Sequence, residues 1–332
     1  MPVKVKVSGA WKDAVPSVNV GGFWKDVSQK WVKVAGAWKE LLANAPWNLA
    51  PYSGNASGVL YTGNSYDFSS LLGANGSNSI MGMAFSSTGT RLYTLIYRGS
   101  TSRNIQEHRL STAWDITTAS FDSPNAVEFE LYYGDSDVTF SDLTFSIDGT
   151  KMYVSESGVG GIENVRQYSL STGYDLTTAS YEKTKALTEG SPTVLEFSED
   201  GSRLYVITSG RDVIGHQYDL STPWDVATLS YNSPQDYDYG AAGDITSLAS
   251  IAFKPDDERV YWVFSSAIET IFQYKMSPGS YLSSTYSGVN YSVGFESTSC
   301  RAISVRPSGL DFYMLEGTGT VAVVYQYTIP ED

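Results

Sequence analysis

The chain has 332 residues, 42 % hydrophobic and 14 % aromatic, enough to bury a large core and to exclude a disordered chain apart from termini or loops. Its net charge of −14 is uneven: residues 1–45 hold seven Lys against three acidic residues, a net +4, so the rest carries −18. An acidic body excludes binding nucleic acid through a broad electrostatic surface. The single cysteine, Cys300, excludes an intrachain disulfide framework or a cysteine-built zinc site, and no apolar run approaches the ~20 residues of a membrane helix.

The first 45 residues repeat one phrase three times: VKVSGAWK (5–12), VNVGGFWK (18–25) and VKVAGAWK (32–39). In each, Val-x-Val alternates, an x-Gly step turns the chain, and x-Trp-Lys returns, which predicts three short β-hairpins. A lone hairpin is marginal in water. Four tryptophans (Trp11, Trp24, Trp31 and Trp38) are too much aromatic surface for a free tail. They would pack as a small sheet on the rest of the chain, or serve an attachment or oligomerisation module, with Lys12, Lys25 and Lys39 on the returning strands. The second reading is favoured, because small domains usually borrow core from a neighbour. MPVKVKV is unlike the start of a secretory signal, so folding in a cytoplasm is expected.

From residue 46 a longer repeat takes over. FSSTGTRLY (85–93), FSIDGTKMY (145–153), FSEDGSRLY (197–205), FKPDDERVY (253–261) and VRPSGLDFY (305–313) end on tyrosines spaced 60, 52, 56 and 52 residues apart. Each is followed by a second phrase: EHRLST (107–112), QYSLST (167–172), QYDLST (217–222), QYKMSP (273–278) and QYTIP (326–330). The first four units add a third: WDITTASF (114–121), YDLTTASY (174–181), WDVATLSY (224–231) and SYLSSTYSG (280–288).

Every unit reads as four short strands, the first two joined by a tight turn whose Gly supplies a positive φ. Four strands in a unit of about 50 residues is the arithmetic of a β-propeller blade. The expected fold is therefore all-β: a five-bladed propeller over 46–332, preceded by the hairpin module of 1–45. The fifth unit lacks a third phrase, and WNLAPYSG (47–54) matches that phrase. A strand around 47–54 is thus expected to complete the last blade and close the ring.

These phrases resemble a repeat family of bacterial and phage proteins written FSxDGTKMYV…QYxLSTxWDxxTASY. The likeness is strong in the first three units and weaker in the last two, where Asp257 replaces Gly and Val305 replaces Phe. It implies architecture and no catalytic residues. The opening phrase resembles the N-terminal VxVxGxWK repeats of tailed-bacteriophage virion structural proteins of tail and fibre type. That likeness implies a module that joins the particle and a distal domain that faces outward.

Residues for chemistry are few. His108 stands where other units have Tyr and reads as a structural substitute; His216 reads as a surface strand position. No metal-ligand, nucleophile–base or phosphate-loop spacing is found, so no cofactor, no metal and no enzymatic activity are expected. Acidic stretches 134–142 (Asp135, Asp137, Asp142) and 235–244 (Asp236, Asp238, Asp244) offer oxygen ligands but lack a calcium-loop pattern.

Glu196 is distinctive because Ala84, Thr144, Ala252 and Ser304 hold its place in the other innermost strands. Paired with Asp142 it would suit a propeller glycoside hydrolase. Read as one position out of step with that place, Asp142 would point to the opposite face, and the two would not converge. Trp262, where other units carry Thr94, Val154 and Val206, is a candidate contact for a ligand or partner, as are Glu196 and Asp142.

The expected role is a non-enzymatic virion structural protein. It would be assembled in the host cytoplasm and exposed on the particle, a homo-oligomer bound to other virion proteins through residues 1–45. The propeller would serve decoration or attachment to a host-surface glycan or protein, with no membrane insertion. The alternative is a lectin-like propeller outside any virion.

Overall fold

The computed structural model describes residues 4–7, 10–13, 17–20, 23–26, 30–34, 37–41, 60–72, 78–98, 102–121, 127–131, 138–158, 161–209, 213–232, 236–239, 248–253, 260–265, 269–277, 280–292, 300–309, 311–318 and 320–329. For 4–41, 60, 209, 260–265, 276–277, 280–284, 286–289 and 318, the description is of the backbone alone. The chain divides into two compact units, Met1–Ala45 and Pro46–Asp332.

In the first unit, β1 (Lys4–Val7) pairs with β2 (Ala10–Asp13), β3 (Ser17–Val20) with β4 (Phe23–Asp26), and β5 (Lys30–Val34) with β6 (Ala37–Leu41), all antiparallel. Trp11 stands opposite Lys6, Trp24 opposite Asn19, Trp38 opposite Lys33, and Trp31 opposite Glu40. The three hairpins follow the phrase residue for residue, since each x-Gly step falls between its two strands.

The second unit is all-β, in a propeller arrangement of antiparallel meanders. After β7 (Leu60–Asp67), the first sheet holds β8 (Ser79–Phe85), β9 (Arg91–Arg98), β10 (Ser102–Leu110) and β11 (Ala119–Ser120), with β12 (Val127–Glu130) also on β10. The second holds β13 (Val138–Phe145), β14 (Lys151–Gly158), β15 (Ile162–Leu170) and β16 (Ala179–Ala186). The third holds β17 (Ser191–Phe197), β18 (Arg203–Ser209), β19 (Ile214–Leu220) and β20 (Leu229–Tyr231), with β21 (Tyr237–Asp238) on β19. The fourth is β22 (Leu248–Phe253), β23 (Val260–Ser265), β24 (Thr270–Ser277) and β25 (Ser280–Ser292). The fifth is β26 (Cys300–Val305), β27 (Asp311–Thr318) and β28 (Val321–Thr328), with β7 as its outer strand.

The first strand of each sheet packs on the first strand of the next, and β26 packs on β8. The residues expected to supply the outer strand of the last sheet, 47–54, lie outside the described residues. The strand that does so is β7, with Tyr61 opposite Tyr327. That is the pairing made by Tyr181 with Tyr168 and by Tyr231 with Tyr218. Tyr61 is thus the closing aromatic of the third phrase, and register identifies it where a word match to APYSG did not.

The repeated words have local causes. In WDIT, YDLT and WDVA the aspartate caps a turn of 3-10 helix: the Asp115, Asp175 and Asp225 carboxylates each accept the backbone N–H two residues on. The aromatic before each Asp adopts a positive φ (66°, 63° and 63°) and lies flat on the turn glycine of its own sheet. A Cβ on Gly89, Gly149 or Gly201 would fall 2.2 Å from that ring, so these turns need glycine for space as well as for φ.

Sheets are also tied edge to edge. The Tyr93 hydroxyl donates to the Tyr174 carbonyl at 2.5 Å, Tyr153 to Trp224 at 2.7 Å, and Tyr313 to Trp114 at 2.6 Å. Gln167 Oε1 accepts the Val226 N–H and Gln326 Oε1 the Ile116 N–H, at 3.0 and 3.3 Å. The last of each set joins the fifth sheet to the first.

Candidate functional site

The first strands β8, β13, β17, β22 and β26 surround a cavity of about 250 Å³ at the end where they run into their turns. Each breaks its pairing register once in the same region, between Ile80 and Gly82, Phe140 and Leu143, Pro192 and Val194, Leu248 and Ser250, and Cys300 and Ala302. A bulge of this kind bends a strand and re-aims its side chains. In β13 the bulge carries Ser141 and Asp142, whose N–H groups both donate to Ser155 Oγ, at 3.1 and 2.9 Å.

Asp142 and Glu196 both line this cavity. The expectation that they would not converge is therefore corrected. Counted from the closing aromatic, Asp142 stands three residues before Phe145 and Glu196 one before Phe197, an offset of two. Positions two apart share a strand face.

Asp142 Oδ1 accepts the Leu143 N–H at 2.9 Å and Oδ2 accepts the Leu195 N–H at 3.0 Å, so its carboxylate ties the second sheet to the third. Opposite it, Gly82 leaves room: a Cβ there would stand 2.9 Å from Asp142 Oδ1. The Glu196 carboxyl has no hydrogen-bond partner among the described residues. Burial pushes Glu196 up to about 8, with the nearby Asp142 charge adding to the rise. Burial also pushes Asp142 up to about 7, against the two backbone N–H groups that favour its ionised form.

The rest of the lining combines hydroxyls (Ser86, Thr144, Ser250, Ser304), aromatic side chains (Phe85, Trp114, Tyr174, Trp224) and aliphatic ones such as Met83, Leu195, Ile251 and Ile303. Ile147, 55 % exposed at the tip of the β13–β14 turn, and Glu199 stand at its edge. The role of Gly82 escaped the sequence reading. Its signal was a lone glycine where the other units carry Asp142, Val194, Ser250 and Ala302.

The remaining sequence candidates fall elsewhere. Trp262 lies in β23 opposite Ala252, but its side chain is outside the described residues. The same holds for the side chains of Trp11, Trp24, Trp31, Trp38, Lys12, Lys25 and Lys39, and for Asp135, Asp137 and Asp244 altogether. His108 is buried against Tyr66, Phe68 and Phe121 and shares a 3.0 Å hydrogen bond with Thr94; burial lowers it to about 3, so the ring is neutral.

His216, expected at the surface, is buried: its Nε2 is 3.2 Å from Thr208 Oγ1 and its Nδ1 is 3.1 Å from Asp236 Oδ1. Asp236 also accepts the Tyr231 hydroxyl at 2.5 Å, so that carboxylate is spent inside the third sheet. Among the described residues, no group of three or more His, Cys, Asp or Glu is placed to hold a metal ion.

No family model and no curated protein matches the chain. Solved structures similar to it include a protein from Bacteroides uniformis assigned as a 6-phosphogluconolactonase, at 16 % identity and TM-score 0.41, over 64 % of this chain and 55 % of that one. Others are the periplasmic gluconolactonase of Pseudomonas aeruginosa (14 %, TM-score 0.39, 76 % and 57 %) and the β-propeller domain of Cps50 from Myceliophthora thermophila (12 %, TM-score 0.41, 73 % and 68 %). The match thus spans little more than half of the two lactonases. Likeness at this level is one of fold and transfers no activity. The expectation of a chain without enzymatic activity is withdrawn, since propellers named for lactone chemistry stand among these structures.

Proposed function

We propose that this chain is a carbohydrate-binding, five-bladed β-propeller that a tailed bacteriophage carries on its virion. Its five sheets are the five blades, with β7 fastening the last to the first. Residues 1–45 form the module that attaches it to other virion proteins, and the propeller faces outward toward a host-surface glycan.

The observation that carries the binding role is the cavity at the end of the inner strands. It has room for about one sugar ring and combines carboxyl groups, hydroxyls and aromatic walls, the mixture that orients and stacks a sugar. Virion placement rests on the three hairpins in the register of the VxVxGxWK phrase. Titrating the full chain with fragments of the host-surface polysaccharide tests the binding role: saturable binding weakened by Glu196→Gln is expected, and binding untouched by that change would place the ligand elsewhere. Electron microscopy of particles labelled on the chain tests the placement.

A second reading has its own support. Two carboxyls that face one cavity, raised to about 7 and about 8, are a pairing suited to acid–base work on a glycoside or a sugar lactone. A product released from host polysaccharide by the wild-type chain and not by Glu196→Gln would establish it.

A further inference from the structure

Glu196 sits where the other four inner strands manage with Ala84, Thr144, Ala252 and Ser304, so the fold itself does not ask for a carboxyl there. Its oxygens accept no hydrogen bond among the described residues, and the neighbouring charge, Asp142, has the same sign. Asp142 is already committed to the N–H groups of Leu143 and Leu195 and offers Glu196 nothing. Among the described residues lining the cavity are three acids (Asp142, Glu196 and Glu199) and no Lys, Arg or His. An unpartnered carboxyl beside a second one in a recess costs free energy, and what relieves it is a proton or a cation.

We propose that the cavity receives the ammonium group of an amino sugar, held by Glu196 beside Asp142, with Tyr174 and Trp224 among its aromatic walls. This rests on the carbohydrate-binding reading and narrows its ligand class. An ammonium supplies Glu196 with the charge-assisted donor it lacks, and aromatic faces attract a cation. A neutral or N-acetylated sugar leaves the pair without its counter-charge, and an acidic sugar is repelled. A metal ion is a poorer occupant, because among the described residues no third His, Cys, Asp or Glu joins the two carboxyls.

Calorimetric titration of the full chain at pH 7 with three probes tests this: an oligomer of glucosamine, the same oligomer N-acetylated, and 1,4-diaminobutane. The free-amine oligomer is expected to bind at least tenfold more tightly than the acetylated one, with the preference lost in Glu196→Gln and in Glu196→Ala. The second variant carries the residue found at positions 84 and 252, so it is compatible with the fold. Equal binding of the two oligomers would overturn the cation preference and leave the carbohydrate reading standing. Binding of the diamine alone would uphold the cation site and remove the carbohydrate. No binding by any probe would overturn both.

Discussion

The Tyr313 hydroxyl donates a 2.6 Å hydrogen bond to the carbonyl of Trp114, which lies 199 residues earlier in the chain. It repeats across the join between last and first sheets the bonds that Tyr93 makes to Tyr174 and Tyr153 to Trp224. Each such tyrosine is buried, and its carbonyl partner sits on an aromatic residue held at positive φ; the Tyr174 carbonyl accepts a second hydrogen bond, from Arg91 Nη1. Tyr313→Phe keeps the ring and strands the carbonyl. It is expected to lower stability by roughly 1–3 kcal/mol, measured by chemical denaturation, with Tyr153→Phe losing a similar amount.

Gly201 supports the ring of Trp224 in the same repeat. Gly201→Ala would place a Cβ 2.2 Å from that ring at a φ of +69°. Displacing the indole and straining the turn should together cost about 3 kcal/mol or more. Gly63, with φ +80° and nothing within 4 Å of a Cβ, has the strain without the clash. The alanine variant there is expected to lose less, about 1–2 kcal/mol.

The channel carboxyls predict a pH dependence of stability. Glu196 and Asp142 are raised in the folded state, from 4.5 to about 8 and from 3.8 to about 7. The folded state therefore holds protons more tightly than the unfolded chain. The stability they contribute is fully present below about pH 4 and is lost as pH rises through about 7 to 8. Glu196→Gln keeps the shape and cannot ionise. Its melting temperature should match wild type near pH 4 and exceed it by roughly 2–4 °C at pH 9. An equal difference at both pH values would show that the fold does not raise Glu196 above the usual carboxylate range.

Gly82 and Asp142 test the shape of the cavity. Gly82→Ala pushes against Asp142, which links the second and third sheets through Leu195 N–H. A loss of roughly 1–3 kcal/mol is expected, and it should shrink when Asp142→Ala is also present, since the nearest clash, at 2.9 Å, is with that side chain and the Asp142 Cα stands at 3.1 Å. A penalty that stays the same in the double variant would mean that the backbone, not the carboxylate, is in the way.

Much of the fold was legible because its causes are local. Alternation, turn glycines and capping aspartates lie within a few residues of what they determine, so the strands of each repeat and the three opening hairpins could be read from the words. What depends on distant parts of the chain could not. The outer strand of the fifth sheet is set by pairing Tyr61 with Tyr327, and the match of WNLAPYSG to the third phrase pointed instead to residues 47–54.

His216 looked like a surface position in its strand, and it is buried where Thr208, Tyr231 and, from the following segment, Asp236 gather around it. The convergence of Asp142 and Glu196 was within reach of the sequence, since an offset of two along aligned strands fixes a shared face. The bulge of β13 was not, because it shows only in how that strand pairs with β14, and the space left by Gly82 was signalled only by a lone glycine among larger residues.

Deleting residues 1–45 should leave the remaining chain cooperatively folded, as the separate compactness of Pro46–Asp332 implies, and should abolish its incorporation into particles. Calorimetry of the truncated chain and analysis of purified particles measure the two halves of that outcome.

The central claim is that the cavity between the inner strands engages the host surface. Its most direct test is competition: purified full chain, wild type or Glu196→Gln, is added to host cells before the particle, and adsorption is counted. The wild-type chain should block adsorption in a concentration-dependent way, and the variant should block at least tenfold less. No block by the wild-type chain, or equal block by both, would contradict the claim.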